Sequence, residues 1–257
     1  MTKTTRLDVE LVQRGLARSR AHAQQLIGAA AVRVNGLVIR RPAQRVTPED
    51  DLDAPAEHYV SRAAAKLIGA LDDLAVAVPV RALDAGSSTG GFTQVLLERG
   101  CQRVYAVDVG TDQLAPTLRA DSRVALWERT NLRDLELRHV DHDPVDLVVA
   151  DVSFISLVLL LAPLGAVTAR TGRLLLMVKP QFEVGRELLG SGGVVRSPAD
   201  RARAVRTVVT AAREQGWHAH GLVASQRPGP AGNAEYFVLL GRTPVDAELD
   251  VEAVVDS

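Results

Sequence analysis

Apolar residues recur at helical spacing from the start of the chain. Leu7, Leu11, Val12 and Leu16 share one face of residues 6–16, and Gly15 is placed to end that helix. Ser19 stands where an N-cap is needed for a second helix, Arg20 to about Ala29, with Ala23, Leu26 and Ile27 on one side. The next segment, VRVNGLVIR, is a pair of short apolar runs about Asn35-Gly36, a dipeptide that accepts the left-handed backbone of a tight hairpin. Residues 47–58 (TPEDDLDAPAEH) are acidic, proline-bearing and without period, which predicts a linker or domain edge.

Beyond residue 62 the pattern changes. Residues 66–74 read as a helix, and short runs at 80–84, 104–108, 124–127, 145–151 and 173–178 are apolar at nearly every position. Helix-compatible segments separate most of them, near 91–99, 111–120 and 155–169. Ser197-Pro198 opens a long helix over 199–215, and runs near 219–224 and 235–241 follow. Strands without alternation, interleaved with helices, predict a parallel sheet covered on both faces. The last two runs form a hairpin or carry an antiparallel edge strand. The partition expected is a small module over 1–58, a connection at 59–63, an α/β domain over 64–245 and an acidic tail over 246–257.

Composition adds the compartment. The single cysteine, Cys101, rules out an internal disulfide, fits a reducing environment and reads as an inert, buried or half-buried thiol. The first ten residues lack the apolar core of a secretory signal. The longest apolar stretch, 155–167, is broken by Pro163 and Gly165 and is too short to span a bilayer. A cytoplasmic protein with no membrane partner is expected.

The net charge of −1 hides a split. Residues 1–47 carry nine bases against Asp8 and Glu10, a net of +7, which leaves −8 on the rest. That asymmetry points to a polyanion held at the N-terminal end, the alternative being a solvated helical face. Arg14, Arg18 and Arg20 surround the turn between the first two helices, and Arg33, Arg40 and Arg41 flank the hairpin. With Arg6 and Arg62 they form the candidate set of phosphate contacts. The histidines do not assemble a metal-ligand pattern: His139 and His142 read as solvated residues of a charged loop.

Of thirty basic residues only Lys3, Lys66 and Lys179 are lysines. A guanidinium keeps its charge at any biological pH, whereas an ammonium in a dry pocket can release its proton. Lys179 leaves an apolar strand just before Pro180, and the neighbouring strand ends in Asp151, so a paired site is expected across the crevice between them.

A second group of residues suits a small ligand. Residues 82–92, ALDAGSSTGGF, join a strand to a helix through Gly86, Gly90 and Gly91, where a ligand can approach the backbone closely. The spacing is neither the G-x-G-x-x-G of dinucleotide enzymes nor a P-loop. The second strand ends in Asp108, placed to take both hydroxyls of a ribose. An adenosine ligand without phosphates fits, and S-adenosylmethionine is the cofactor expected. Its candidate contacts are Asp84, Gly86, Ser88, Gly90, Gly91, Phe92, Asp108, Asn131, Asp151 and Phe154, with Asp84 facing the methionine amino group directly or through water. Phe154 stacks on adenine or on a target base, or else belongs to the core.

Lys66 in SRAAAKL, Asp151 in ADVSF, Lys179 in MVKPQF and Glu235 in GNAEYF match, in order and context, the Lys-Asp-Lys-Glu tetrad of the FtsJ-like RNA ribose 2′-O-methyltransferases. The chain from residue 6 to about 240 resembles the TlyA family through RLDVELVQRGLARSR, VRVNG, VSRAAAKL, LDAGSSTGGFT, ADVSFISL, VKPQFEVG, GGVV and GNAEYF. The SRAAAKL segment departs from many members between Arg62 and Lys66 but keeps the lysine. The resemblance implies an α/β, Rossmann-like class I methyltransferase with a mostly parallel seven-stranded sheet, joined to a small α+β N-terminal S4 domain. It implies methylation of a cytidine 2′-hydroxyl in ribosomal RNA, with ribosomal RNA or ribosomal subunits as partner. In that reading Lys179 is the general base, freed to act by desolvation and by the charge of Lys66, while Asp151 and Glu235 orient the ammonium groups and the hydroxyl. The four groups can equally act as a positioning network. The rival functions are an inactive RNA-binding assembly factor, a nucleotide-dependent oxidoreductase and the haemolysin activity after which some relatives are named.

Overall fold

Nine apolar side chains are enough to close a small core at the N-terminal end. Leu7, Leu11, Ala17, Ala23, Ile27, Val32, Val34, Val46 and Leu52 are buried together. Helices α1 (Leu7–Gln13) and α2 (Arg20–Gly28) and strands β2 (Arg33–Val34), β4 (Arg45–Val46) and β5 (Leu52–Asp53) supply seven of them, and the connecting segments supply Ala17 and Val32. Strands β1 (Thr5–Arg6) and β3 (Leu37–Val38) complete the unit. The Ser19 hydroxyl caps α2 by accepting from the His22 amide at 3.2 Å. Asn35 and Gly36 both take positive φ, 50° and 80°, and turn β2 onto β3 as a two-residue hairpin requires. One expectation changes here. The acidic stretch 47–58 is not all linker, because β5 pairs with the other side of β2 and sends Leu52 into the core.

The computed structural model describes residues 4–17, 19–55, 58–185, 189–190, 192–229, 231–245 and 249–256. Lys3 and Arg18 lie outside them. Contacts divide the chain into two compact units, Met1–Val60 and Ser61–Ser257.

The second unit follows the alternation of helix and strand. Its elements are α3 (Ala63–Asp73), β6 (Arg81–Ala85), α4 (Gly91–Glu98), β7 (Arg103–Val107), α5 (Pro116–Arg119), β8 (Val124–Trp127), β9 (Val145–Ala150), α6 (Leu161–Ala166), β10 (Thr168–Val178), α7 (Pro180–Glu183), α8 (Pro198–Glu214), β11 (His218–Ala224), β12 (Tyr236–Gly241) and α9 (Val251–Asp256). Seven strands lie in the order β11-β12-β10-β9-β6-β7-β8. Every pairing is parallel except the two made by β12. Consecutive residues of β6, β7, β9 and β12 are buried, so both faces of the sheet are covered.

Three elements differ from the sequence pattern. The last two strands do pair as a hairpin, but the antiparallel one, β12, lies inside the sheet and the edge is β11. The helix expected over 155–169 shrinks to a short 3-10 turn at Leu157–Leu159 and α6, while β10 starts at Thr168 with a break in register before Arg173. The acidic tail carries α9, whose Val251 and Val255 plug the core and whose Glu252 pairs with Arg206 on α8.

The chain order reverses between β6 and β9, so a crevice opens at the carboxyl edge of those strands. Because β12 is antiparallel, with Tyr236 opposite Val178, its first residues meet the last residues of the parallel strands. That edge is where the site is built.

Candidate active site

Three of the parallel strands hand over a polar residue at this edge: Asp108 after β7, Asp151 after β9, Lys179 after β10. Glu235 arrives from the opposite direction, just ahead of β12, and Lys66 comes from α3. The four residues of the tetrad meet as two ion pairs. The Lys66 ammonium donates to Glu235 Oε2 at 2.5 Å, and both side chains are buried. The Lys179 ammonium lies 2.6 Å from Asp151 Oδ1 and donates to the Ser153 hydroxyl at 2.9 Å. Pro180 ends the β10 ladder and begins α7 at once, which fixes the direction in which Lys179 leaves.

The segment before β12 closes tightly over Glu235. A side chain at Gly229 would sit 2.6 Å from Glu235 Oε1. Asn233 is buried, accepts from the Val195 amide at 3.0 Å and donates to the Gly193 carbonyl at 3.0 Å, binding the GGVV loop to this turn.

The glycine turn has its own supports. Gly86 and Gly90 take φ of 84° and 97°, and a side chain at Gly86 would meet the Asp151 carbonyl at 2.8 Å. Gly91 opens α4 where a side chain would strike Ser61 Oγ at 2.2 Å. Asp108 accepts from the Ser88 amide at 2.8 Å and the Gly110 amide at 2.7 Å, one on each oxygen. The carboxylate is half-buried and each oxygen has a second lone pair, so it retains the capacity to take two ligand hydroxyls.

Three expected contacts fall out differently, and a fourth is narrowed. Asp84 is wholly buried, so no ligand reaches its carboxylate in this conformation. It accepts from Thr93 Oγ1 at 2.7 Å while Oδ1 has no hydrogen-bonding partner. Phe92 turns into the core against Phe237, with ring centres 6.1 Å apart. Asn131 is exposed and spends its side-chain oxygen capping the turn at Leu132–Asp134. Phe154 is 93% exposed, which removes the core alternative. It takes φ of 65°, rare for an aromatic residue, and its ring lies 5.2 Å from that of Phe182.

Burial pushes the Asp84 carboxyl up to about 7, against the opposing hydrogen bond from Thr93 and with help from Asp151 and Asp108. An acid with a raised folded value binds more protons folded than unfolded. Its stability contribution is therefore full below the ordinary carboxylate range and is lost as pH rises through about 7. The ligand-free protein is expected to melt progressively lower from about pH 4 to about pH 8. Asp84→Asn should flatten that slope, and an unchanged slope by calorimetry would count against this account.

The arginines of the first unit also separate. Arg14 is fully used in structure: it pairs with Glu10 at 2.9 Å and donates to the carbonyls of Asp50, Thr47 and Pro48 at 2.7, 2.9 and 3.0 Å. It is therefore not among the free phosphate contacts. Arg6 and Arg20 both bond the buried Asp8, and together with Gln24 they hold its carboxyl well below the usual range. Arg33, Arg40 and Arg41 are exposed, as is Arg62 at the start of the second unit. In the second unit, His139 is buried rather than solvated. It packs edge-on against Trp127 and its ring nitrogen meets the Glu136 amide at 3.0 Å. Cys101 is buried, and burial pushes its thiol up.

Sequence reasoning missed Ser153, Phe182, Glu183, Thr93 and Asn233. Ser153 and Phe182 neighbour motif residues and were within reach of it; nothing local marks Glu183 as half-buried or as the acceptor of two distant donors.

Comparison with known proteins agrees with these features. Residues 59–242 match the FtsJ-like methyltransferase model and residues 5–52 the S4 domain model. The chain is 49% identical to the 16S/23S rRNA (cytidine-2'-O)-methyltransferase TlyA of Mycobacterium tuberculosis, over 100% of the chain and 97% of that protein. It is 38% identical to YqxC of Bacillus subtilis, described as a candidate rRNA methyltransferase, over 93% and 86%. A solved structure described as a candidate hemolysin of Streptococcus thermophilus superposes with a TM-score of 0.79 at 35% identity, covering 100% of the chain and 96% of that one.

Proposed function

The chain belongs to the FtsJ-like methyltransferase family, in the S4-bearing branch that includes TlyA, and from that membership we propose that it methylates a cytidine 2′-hydroxyl of ribosomal RNA, using S-adenosylmethionine. The observation that carries this reading is the pair of lysine–carboxylate contacts at adjoining strand ends, beside the glycine turn and Asp108. In this account residues 1–58 dock the RNA and 64–245 carry the chemistry, joined through 59–63, in the cytoplasm where ribosomes work.

S-adenosylmethionine supplies a methyl group already activated on a sulfonium sulfur. The fit of the residues to it rests on Asp108, open to two ribose hydroxyls, and on the glycine turn that brings backbone close to a ligand. Asp151 and Phe154 flank the same crevice. A ribose hydroxyl is a weak nucleophile, so this chain's work is to orient it and take its proton. Lys179 is the group placed to accept that proton from the 2′-oxygen as the oxygen attacks. Asp151 and Ser153 hold the Lys179 amine in position for the transfer. Glu235 holds Lys66, whose ammonium offsets negative charge developing on the ribose oxygen. Phe154, displayed beside this site, offers a stacking face to the unstacked target base.

Affinity comes from the exposed arginines of the first unit. Arg33, Arg40 and Arg41 are the freest; Arg6 and Arg20 contribute from the edge of the Asp8 cluster. Arg40→Ala combined with Arg41→Ala is expected to weaken binding and to reduce the slope of log affinity against log salt by about 1.5. Filter binding to ribosomal RNA across a salt series measures this, and an unchanged slope would remove both residues from the interface.

The direct test is methyl transfer from labelled S-adenosylmethionine to ribosomal subunits taken from a strain lacking the gene. Mapping the product for 2′-O-methylcytidine completes it. No transfer to either subunit would refute the reading.

A further inference from the structure

Two loops leave the adjoining parallel strands β9 and β10 and are joined by four consecutive contacts. Asp151 meets Lys179 at 2.6 Å. Ser153 accepts from the same ammonium at 2.9 Å. Phe154 lies 5.2 Å from Phe182, centre to centre. Finally Glu183 takes both donors of the next turn: the Ser156 hydroxyl at 2.6 Å on Oε2 and the Leu157 amide at 2.8 Å on Oε1. The two tetrad residues are the first rung of a zip whose last rung is a carboxylate outside the tetrad.

That last rung is costly to place. Burial pushes the Glu183 carboxyl up, and only its two donors oppose that shift. What the rung secures lies between it and the tetrad. Phe154 is nearly bare of contacts apart from Phe182, and its left-handed backbone is disfavoured for an aromatic residue. Such a conformation persists only when both flanks are fixed. Asp151 and Ser153 fix one flank through Lys179. Ser156 and Leu157 fix the other: Leu157 is buried in the core, and both residues donate to Glu183, the side chain that ties this turn back to α7 beside Phe182.

We propose that Glu183 is a positioning residue, holding the displayed conformation of Phe154 that receives the target nucleotide. The proposal rests on the reading of the chain as an RNA methyltransferase. Glu183 touches neither reactant; it acts through Phe154.

The test is a double-mutant cycle on the full chain, with ribosomal subunits from a strain lacking the gene as the probe. Both subunit affinity and methyl-transfer kinetics are measured for wild type, Glu183→Ala, Phe154→Ala and the double variant. Loss of base stacking is expected to raise KM and Kd for the subunits about tenfold in each single variant, with kcat changed by less than about threefold. The double variant should be no worse than Phe154→Ala alone. Glu183→Gln should restore near wild-type KM, because its amide can accept from Leu157 and donate to Ser156. Additive losses, a fall in kcat at unchanged KM, or failure of glutamine to rescue would overturn the proposal. Should Glu183→Ala not fold, Ser156→Ala breaks half of the rung and is expected to raise KM about threefold, with the same non-additivity toward Phe154→Ala. A wild type that binds subunits but transfers no methyl group refutes the proposed function, while the affinity cycle still decides the role of Glu183.

Discussion

Replacing Lys179 with arginine is expected to lower the methyl-transfer rate about a thousandfold while leaving cofactor and RNA binding within about threefold. The substitution is informative because it alters one property. Arginine keeps the positive charge and the reach to Asp151, which lies 2.6 Å from the lysine nitrogen, so the ion pair and the loop around it survive. It does not release a proton at any accessible pH. If Lys179 accepts the proton of the 2′-hydroxyl, raising the pH cannot restore the variant. Single-turnover transfer measured from about pH 7 to about pH 10 should therefore stay flat and low for the arginine variant, while the wild-type rate varies with pH. Near-normal turnover at raised pH would move Lys179 from proton acceptor to a purely positioning role. Calorimetric binding of S-adenosylmethionine by the variant separates a lost base from a damaged site.

The second large effect concerns stability. Lys66 and Glu235 are buried against each other at 2.5 Å. Glu235→Ala strands an ammonium in a place shielded from water, and is expected to destabilise the second unit by about 3–5 kcal/mol. Removing both charges at once should be far milder, because no buried charge then lacks a partner. Lys66→Met with Glu235→Gln in one chain is the appropriate comparison, measured by urea unfolding followed through circular dichroism. The difference between the double variant and the sum of its own singles, Lys66→Met and Glu235→Gln, gives the coupling, expected to be on the order of 3 kcal/mol in favour of the double. Strict additivity would mean that the two groups do not depend on each other in the folded state.

Much of this site could be read before any coordinates. Strands buried on both faces are recognisable by their lack of alternation. A polar residue at the end of such a run, as in Asp108, Asp151 and Lys179, stands out because the sheet offers it nowhere to go but the edge. Lys66 is marked only by the scarcity of lysine and Glu235 by nothing local, and their pairing became legible through resemblance to a known tetrad. The misreadings share one cause. Arg14, His139 and Phe92, like the overlooked Glu183, each look ordinary for a surface, a turn or a ligand loop, and each is settled by a partner far along the chain or by the layer packed on it. Arg14 meets carbonyls more than thirty positions away, and Glu183 meets donors about twenty-six positions away. Burial of a polar group is a property of the assembled fold, so local pattern does not report it.

The place of β12 also governs the order in which the enzyme is completed. It is the last strand of the sheet to be synthesised, yet it lies between β10 and β11 and carries Glu235 at its leading end. A growing chain that has made everything up to β11 still lacks a counterion for Lys66, and β11 has no neighbour to join. The Lys66 ion pair thus waits for β12 to emerge and slot home. A nascent chain that ends at β11 therefore holds an unpaired Lys66 and an unjoined edge strand, and one and the same segment resolves both.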